Sequence, residues 1–347
     1  MKALLLHHPL LPLFHHPHHP TTTTIPFFSL SSSPSPNPSS IIVVGSANAD
    51  IYVEIPRLPA PGETISAATG RTLPGGKGAN QACCAARLSL APVRFLGRVG
   101  DDAHGGLLEG ALRGCGVRME GLARVVGAPT GHAVVMLQPG GENSIVIVGG
   151  ANMLGWPERM GEEEKEVVRG AGAVLLQREI PDAINIQVAE AAKSSGVPVI
   201  LDVGGVETPI PKELLCLVDI LSPNETELAR LTGMPTEAFE NISKAVKKCH
   251  EMGVKQLLVK LGEKGSALFV EGEEPIRQPI IPAAKVLDTT GAGDTFTAAF
   301  TVALVEGKPK KEALQFAAAA ASLCVQVKGA IPSMPERDAV MQLLESL

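Results

Sequence analysis

Aromatic side chains are scarce in this chain. They make up 3% of 347 residues, with a single tryptophan and a single tyrosine. Proteins that hold single-stranded nucleic acid stack its bases on aromatic platforms, and a formal net charge of −6 gives no basic field for phosphate backbones. Nucleic acid is therefore not an expected partner. No apolar run reaches the roughly 18 residues that a membrane-spanning helix requires, so no membrane span is expected. The six cysteines, Cys83, Cys84, Cys115, Cys216, Cys249 and Cys324, form no C-x-x-C pair. That spacing speaks against a zinc site or a disulfide framework, and the sequence reads as carrying reduced, buried thiols. Two phosphate fingerprints are also missing, the G-x-x-x-x-G-K-[ST] loop and G-x-G-x-x-G, which disfavours a Walker nucleotide site and a dinucleotide site.

Residues 1–40 lack something else. They contain no acid and no arginine, and Lys2 is their one basic residue apart from histidine. Proline, serine, threonine and histidine dominate, in "HHPHHPTTTT" and "SLSSSPSPNPSS". Such a segment cannot bury enough apolar surface to fold. Its acid-poor, serine-rich composition predicts a transit peptide for a plastid, and the missing arginine disfavours a mitochondrial one.

The remainder, 41–347, reads as alternating strand and helix. "IIVVGS" from residue 41 is a continuous β-branched run, the mark of a strand buried on both faces. Similar runs lie at 93–97, 173–177, 198–203, 219–223 and 256–261. Helical patterns fall at 77–90, 104–115, 182–195, 224–232 and 237–252, and most of 292–347 is helical. Alternation with short connections predicts an α/β fold, a doubly wound parallel sheet. Ligand sites in such sheets lie beyond the carboxyl ends of the strands. Two stretches break the rhythm, about 50–72 and 131–148. They carry strand-like patterns without helices, the second with a Pro-Gly-Gly turn. They predict a small β-sheet lid projecting from the main domain.

The chemistry concentrates in "LDTTGAGDTF", 287–296. A helix N-terminus exposes unpaired N–H groups and partial positive charge, and glycines let the backbone approach a ligand closely. Together they form an anion cradle, whose usual occupant is phosphate. Asp294 is then a carboxylate beside a phosphate. This makes sense if it takes a proton from a hydroxyl that attacks the phosphorus; a plain helix cap is the bland alternative. A second glycine cluster, "PGGKGAN" at 74–80, opens another helix, with Lys77 and Asn80 as polar groups at its mouth. "GSANAD" places Asn48 and Asp50 just past the first strand. Asp, Asn and Lys converging at strand ends suggest a polyol or sugar.

"GGKGAN" and "DTTGAGDTF", in this order and about 210 residues apart, resemble the two signatures of the ribokinase, or PfkB, family of carbohydrate kinases. "GSANAD", "PAPGET", "SPNETE", "LVKLGEKG" and "VKGAIPSMP" are similar to the ribokinase branch more than to fructokinases or adenosine kinases. The resemblance covers about residues 41–346. It implies ATP-dependent phosphorylation of D-ribose at O5, with Asp294 as the general base and Gly291, Ala292 and Gly293 as the N–H cradle. It further implies sugar contacts from Asn48, Asp50, Gly76, Lys77, Asn80 and Glu179. Asn224 matches a nucleotide-phosphate contact, Glu227 belongs to a segment linked with magnesium and phosphate, and Lys260, Leu261, Gly262, Glu263, Lys264 and Gly265 match the loop flanking the nucleotide.

An activating potassium ion is implied at Asp288, Thr290, Cys324, Val327, Gly329 and Ser333, several of them through backbone carbonyls. Magnesium and a homodimer paired through the lids are implied as well. Two positions depart from the pattern: Lys260 stands where relatives often carry threonine, and Ala318 where they often carry a polar neighbour of adenine. The rival readings are a family kinase for fructose, another pentose or a nucleoside, and a non-catalytic plastid scaffold.

Overall fold

The computed structural model describes residues 39–139, 143–205 and 208–347. The expected leader, up to residue 38, and the Gly140–Gly141 part of the expected turn lie outside them.

The first half opens with β1 (Ile41–Val44), β2 (Asn48–Glu54) and β3 (Thr69–Gly75), then α1 (Lys77–Leu88), β4 (Val93–Gly100), α2 (Ala103–Gly114) and β5 (Arg118–Val125). It continues through β6 (His132–Leu137), β7 (Asn143–Val148), α3 (Ala151–Leu154) and α4 (Glu162–Arg169). Next come β8 (Ala173–Arg178), α5 (Asp182–Ser194), β9 (Val199–Gly205), α6 (Lys212–Leu217), β10 (Ile220–Ser222), α7 (Glu225–Thr232) and α8 (Phe239–Glu251). Then follow β11 (Gln256–Lys260), β12 (Ser266–Val270), β13 (Ile276–Gln278), α9 (Ala292–Val305), α10 (Lys310–Cys324), α11 (Ala330–Ser333) and α12 (Arg337–Glu345).

Nine strands form one sheet in the order β13-β12-β11-β10-β9-β8-β1-β4-β5. From β5 to β11 every pairing is parallel, while β12 runs antiparallel to both neighbours. The sheet is therefore the expected doubly wound, mostly parallel one, with an antiparallel edge. The edge arises because β12 follows β11 through a short turn at Gly262–Lys264 rather than through a crossover helix. All four residues of β1 and all six of β8 are buried, as the continuous apolar runs require. The sheet switches direction of winding at β1: the chain next joins the sheet at β4 on one side and later at β8 on the other. The loops after β1 and β8 thus frame a crevice.

A separate four-stranded sheet, in the order β3-β2-β6-β7, holds the two stretches that broke the helical rhythm. The pairing of β2 with β3 places Asn48 opposite Gly75 and Asp50 opposite Leu73. It thereby joins the "GSANAD" and "PGGKGAN" segments. Helix α9 is buried along its length from Asp294 to Leu304, packed against α10 and α1. A helix covered on all sides needs small or apolar residues all round, which explains "TFTAAFTVAL".

Among the described residues no helix is long and apolar enough to cross a membrane. All six cysteines are free thiols, and five are buried. Cys216 is exposed, contrary to expectation, because it lies in the last turn of the short surface helix α6.

Candidate active site

Helix α1 begins at Gly76, whose φ of 89° and close approach to β2 leave no room for a side chain: a Cβ there would lie 2.6 Å from the Asn48 nitrogen. Its cap comes from elsewhere in the chain. Glu179, just past β8, accepts from the Lys77 N–H at 3.1 Å, and the Ser46 hydroxyl donates to the same Glu179 oxygen. Lys77, Asn80 and Gln81 stand at i, i+3 and i+4, one face of the helix. That face meets Asp294 in the first turn of α9.

The Asn80 amide donates to Asp294 Oδ2 at 2.9 Å, the Gln81 amide donates to Oδ1 at 3.1 Å, and Lys77 Nζ stands 3.8 Å from Oδ1. Asp294 is 5% exposed. Its carboxylate is therefore oriented from both oxygens, and each still has accepting capacity for a hydroxyl. The Asn80 Oδ1 is buried with no partner, left over because Nδ2 is committed to Asp294.

Asp202 completes the cluster. It lies in β9, is fully buried, and receives Lys260 Nζ at 2.6 Å, Lys77 Nζ at 3.5 Å, the Thr297 hydroxyl at 3.2 Å and the Gly204 N–H at 3.0 Å. Burial by itself would push this carboxyl up, but Lys260 and Lys77 outweigh it and hold the carboxyl well below the usual range. Burial likewise works against the Lys77 charge, and Asp202, Asp294, Glu179 and Glu227 overcome it, raising Lys77 well above its ordinary value. Asp50 behaves oppositely. Burial first, then the negative charges of Glu179 and Asp294, push its carboxyl up to about 7. Asn48 is buried and accepts from the Asn152 amide at 2.7 Å.

The cradle of α9 has no side-chain cap, and Gly291 adopts φ 79°. The Ala292 N–H donates to the Thr289 carbonyl at 3.2 Å. Of the three expected donors, Gly291 and Gly293 thus remain uncommitted among the described residues, and Ala292 does not. Among the residues expected to meet the nucleotide, Asn224 caps α7 in a full capping box with Glu227, each accepting at 2.8 Å from the other's backbone. Lys260 N–H donates to the Pro223 carbonyl, which ties this turn to β11. The Leu261 side chain lies in the hydrophobic core, so only its backbone faces the loop. Gly262 and Gly265 take positive φ, Glu263 is exposed, and Lys264 pairs with Glu225 at 3.0 Å. Ala318 is buried in α10.

The positions implied for potassium are linked to one another. Asp288 accepts from the Thr290 N–H at 2.9 Å and from the Gly329 N–H at 2.8 Å. The Cys324 sulfur lies 3.1 Å from the Ser333 hydroxyl and 4.0 Å from the Thr290 carbonyl. Val327 is exposed and follows on the same turn, its N–H donating to the Cys324 carbonyl. The Asp288 carboxylate, Thr290 carbonyl and Ser333 hydroxyl oxygens are hard donors of the kind that suits an alkali cation.

Two groups that sequence reasoning missed are central. Gln81 had a signal, the i+4 spacing from Lys77. Asp202 had one too: a lone acid in the apolar run "VILDV" must find a cation, and Lys260 is the unusual cation.

The pfkB family carbohydrate kinase model matches residues 38–337. A ribokinase from Arabidopsis thaliana is 68% identical over 91% of this chain and 86% of its own length. A structure of Arabidopsis thaliana ribokinase complexed with ribose and ATP superposes with a TM-score of 0.86 at 69% identity, covering 89% of this chain and 99% of that one. A deoxyribokinase from Salmonella typhi is 31% identical over 85% of this chain and 95% of its own.

Proposed function

This chain belongs to the pfkB family of carbohydrate kinases, and we propose that it transfers the γ-phosphoryl group of ATP to O5 of D-ribose, giving ribose 5-phosphate. The observation that carries the reading is Asp294, held by Asn80, Gln81 and Lys77 at the uncapped start of α9. A hydroxyl bonded to Asp294 passes its proton to the carboxylate as its oxygen attacks phosphorus. The Gly291 and Gly293 N–H groups receive the charge that develops on the phosphoryl oxygens. On the sugar side, Asp50, Asn48, Gly76, Lys77, Asn80 and Glu179 hold the remaining hydroxyls, Asn80 through its partnerless Oδ1. Asn224 and the 260–265 turn hold the nucleotide.

Magnesium arriving with ATP supplies charge neutralisation on the phosphates. It usually keeps several waters and needs only one or two carboxylates; Glu227, near Gly204 and Lys77, fits that demand. Potassium, if held by the oxygens of Asp288, Thr290 and Ser333, would supply fixed positive charge to the site.

The small sheet serves as the lid and as a dimer interface. Its edge strand β7 exposes four consecutive apolar residues, Ile145, Val146, Ile147 and Val148, by 38–60%. An open apolar edge of this kind invites a partner strand. The acid-free leader directs the chain to the plastid stroma, a reading in keeping with its plant relative.

A coupled ATP assay over ribose, 2-deoxyribose, fructose and adenosine tests the proposal. Ribose is expected to give the highest kcat/KM, with 2-deoxyribose clearly poorer. A preference for fructose or adenosine would replace the substrate, and no sugar-dependent ADP formation would favour the scaffold reading.

A further inference from the structure

The Lys260 ammonium sits at the junction of two features, the buried Asp202 and the mouth of α9. Asp202 takes one of its three N–H groups at 2.6 Å, and the side chain makes no second hydrogen bond among the described residues. The lysine is only 12% exposed, so it is not a solvated surface charge. It also lies against the cradle: a Cβ placed on Gly293 would stand 3.9 Å from Lys260 Nζ. The ammonium therefore lies within van der Waals contact of the first turn of α9. Opposite it, Lys77 reaches Asp202 and Asp294 at once. One buried carboxylate thus anchors two ammonium groups whose remaining N–H donors border the uncapped cradle.

We propose that Lys260 is a catalytic cation that contacts the transferred phosphoryl group, and that Asp202 is its positioning residue. The inference rests on the phosphotransfer reading above and deepens it. The Lys260 ammonium acts on the phosphoryl group, while the rest of the surrounding loop flanks the nucleotide. Balance of charge supports the arrangement. The four groups in ion-pair contact, Asp202, Asp294, Lys77 and Lys260, carry two negative and two positive charges, with Glu179 and Glu227 acting on Lys77 from further out. An incoming phosphoryl group finds ammonium donors already oriented by a buried carboxylate and partly shielded from water, Lys260 more than Lys77, the condition under which fixed charges act most strongly on a transition state. The lysine's free donors take phosphoryl oxygens while Asp202 retains its own hydrogen bond. No proton is transferred by either residue.

The test uses the full chain with ribose and ATP. Lys260→Met is expected to lower kcat by on the order of 10²-fold, while the Kd for ADP and the KM for ribose change by less than about threefold, because the lost contact is to the transferred group alone. Lys260→Arg restores a cation and should recover at least about tenfold of that loss. Asp202→Asn should lower kcat by about tenfold or more. The double variant Asp202→Asn/Lys260→Met should lose much less than the product of the single losses, because Asp202 acts through Lys260.

A misplaced single charge can prevent folding. The double variant removes both charges together and decides the matter if a single variant does not fold. The proposal requires the folded double variant to lose at least about 50-fold in kcat with ADP affinity kept. Near-normal turnover in folded Lys260→Met or in the double variant, an equal loss of ADP affinity, or losses that multiply fully would overturn it. Wild-type protein that forms no ADP with ribose would instead overturn the reading beneath it, so the two failures are distinguishable.

Discussion

Replacing Asp50 with asparagine should stabilise the ligand-free protein and damage the reaction. The structure gives the size of both effects. Asp50 titrates at about 7 in the folded chain against 3.8 in its ordinary state, chiefly through burial and then through repulsion from Glu179 and Asp294. The folded state therefore keeps a proton that the unfolded chain has already released between these two values. A raised carboxyl contributes stability that is fully present below 3.8 and is lost as pH rises towards 7. Asparagine is neutral throughout and escapes this loss. The whole displacement is worth about 4 kcal/mol at most.

About 2–3 kcal/mol of it develops between roughly pH 5 and pH 8. Denaturant unfolding of wild type and Asp50→Asn at these two pH values is the assay. The advantage of the variant should grow by that amount from the acidic to the basic condition. In the same variant, kcat/KM for ribose should fall by about 10- to 150-fold, the equivalent of about 1.5–3 kcal/mol for a hydrogen bond to a charged group. A stability difference that is the same at both pH values would refute the electrostatic reasoning. Unchanged use of ribose would remove Asp50 from the sugar site.

Gly204→Ala places a Cβ 2.3 Å from the flexible end of Lys77; the fold should survive, and turnover should fall by about tenfold or more as the ammonium is displaced. Gly76→Ala meets backbone instead, at φ 89°, and should cost about 1–3 kcal/mol of stability, read by thermal or denaturant unfolding. Ile147→Lys on the exposed edge strand β7 should convert a dimer to a monomer in sedimentation, and a wild type that is monomeric at micromolar concentration would remove the interface. The first forty residues fused to a reporter should carry it into plastids, and a reporter left in the cytosol would count against the leader.

Much of the fold was legible because its strands are continuous apolar runs. Residues 41–44 and 173–177 could be read as buried strands before any pairing was known. The antiparallel edge was less legible, since β12 follows β11 through a tight turn with no helix between them and β13 is only three residues long. The site was legible where spacing is local. Gly291, Gly293 and Asp294 declare a helix mouth, and Lys77 with Asn80 declares one helical face. Long-range pairings were not legible. Nothing local says that Glu179 caps α1 across 102 residues, or that Asp202 and Lys260 find each other across 58. The capping role of Asn224 and Glu227, by contrast, was written in "NETE", and ligand contact and capping share those side chains without conflict.

The most direct test of the central claim follows the phosphate and the base together. Wild type and Asp294→Asn are incubated with ribose and ATP, and the sugar product is identified by phosphorus–carbon coupling in NMR. The account predicts phosphate on C5 in the wild type. In Asp294→Asn it predicts the same product formed at least about 10²-fold more slowly, with ATP binding retained. Phosphate on another carbon, or near-normal turnover in the folded variant, would contradict it.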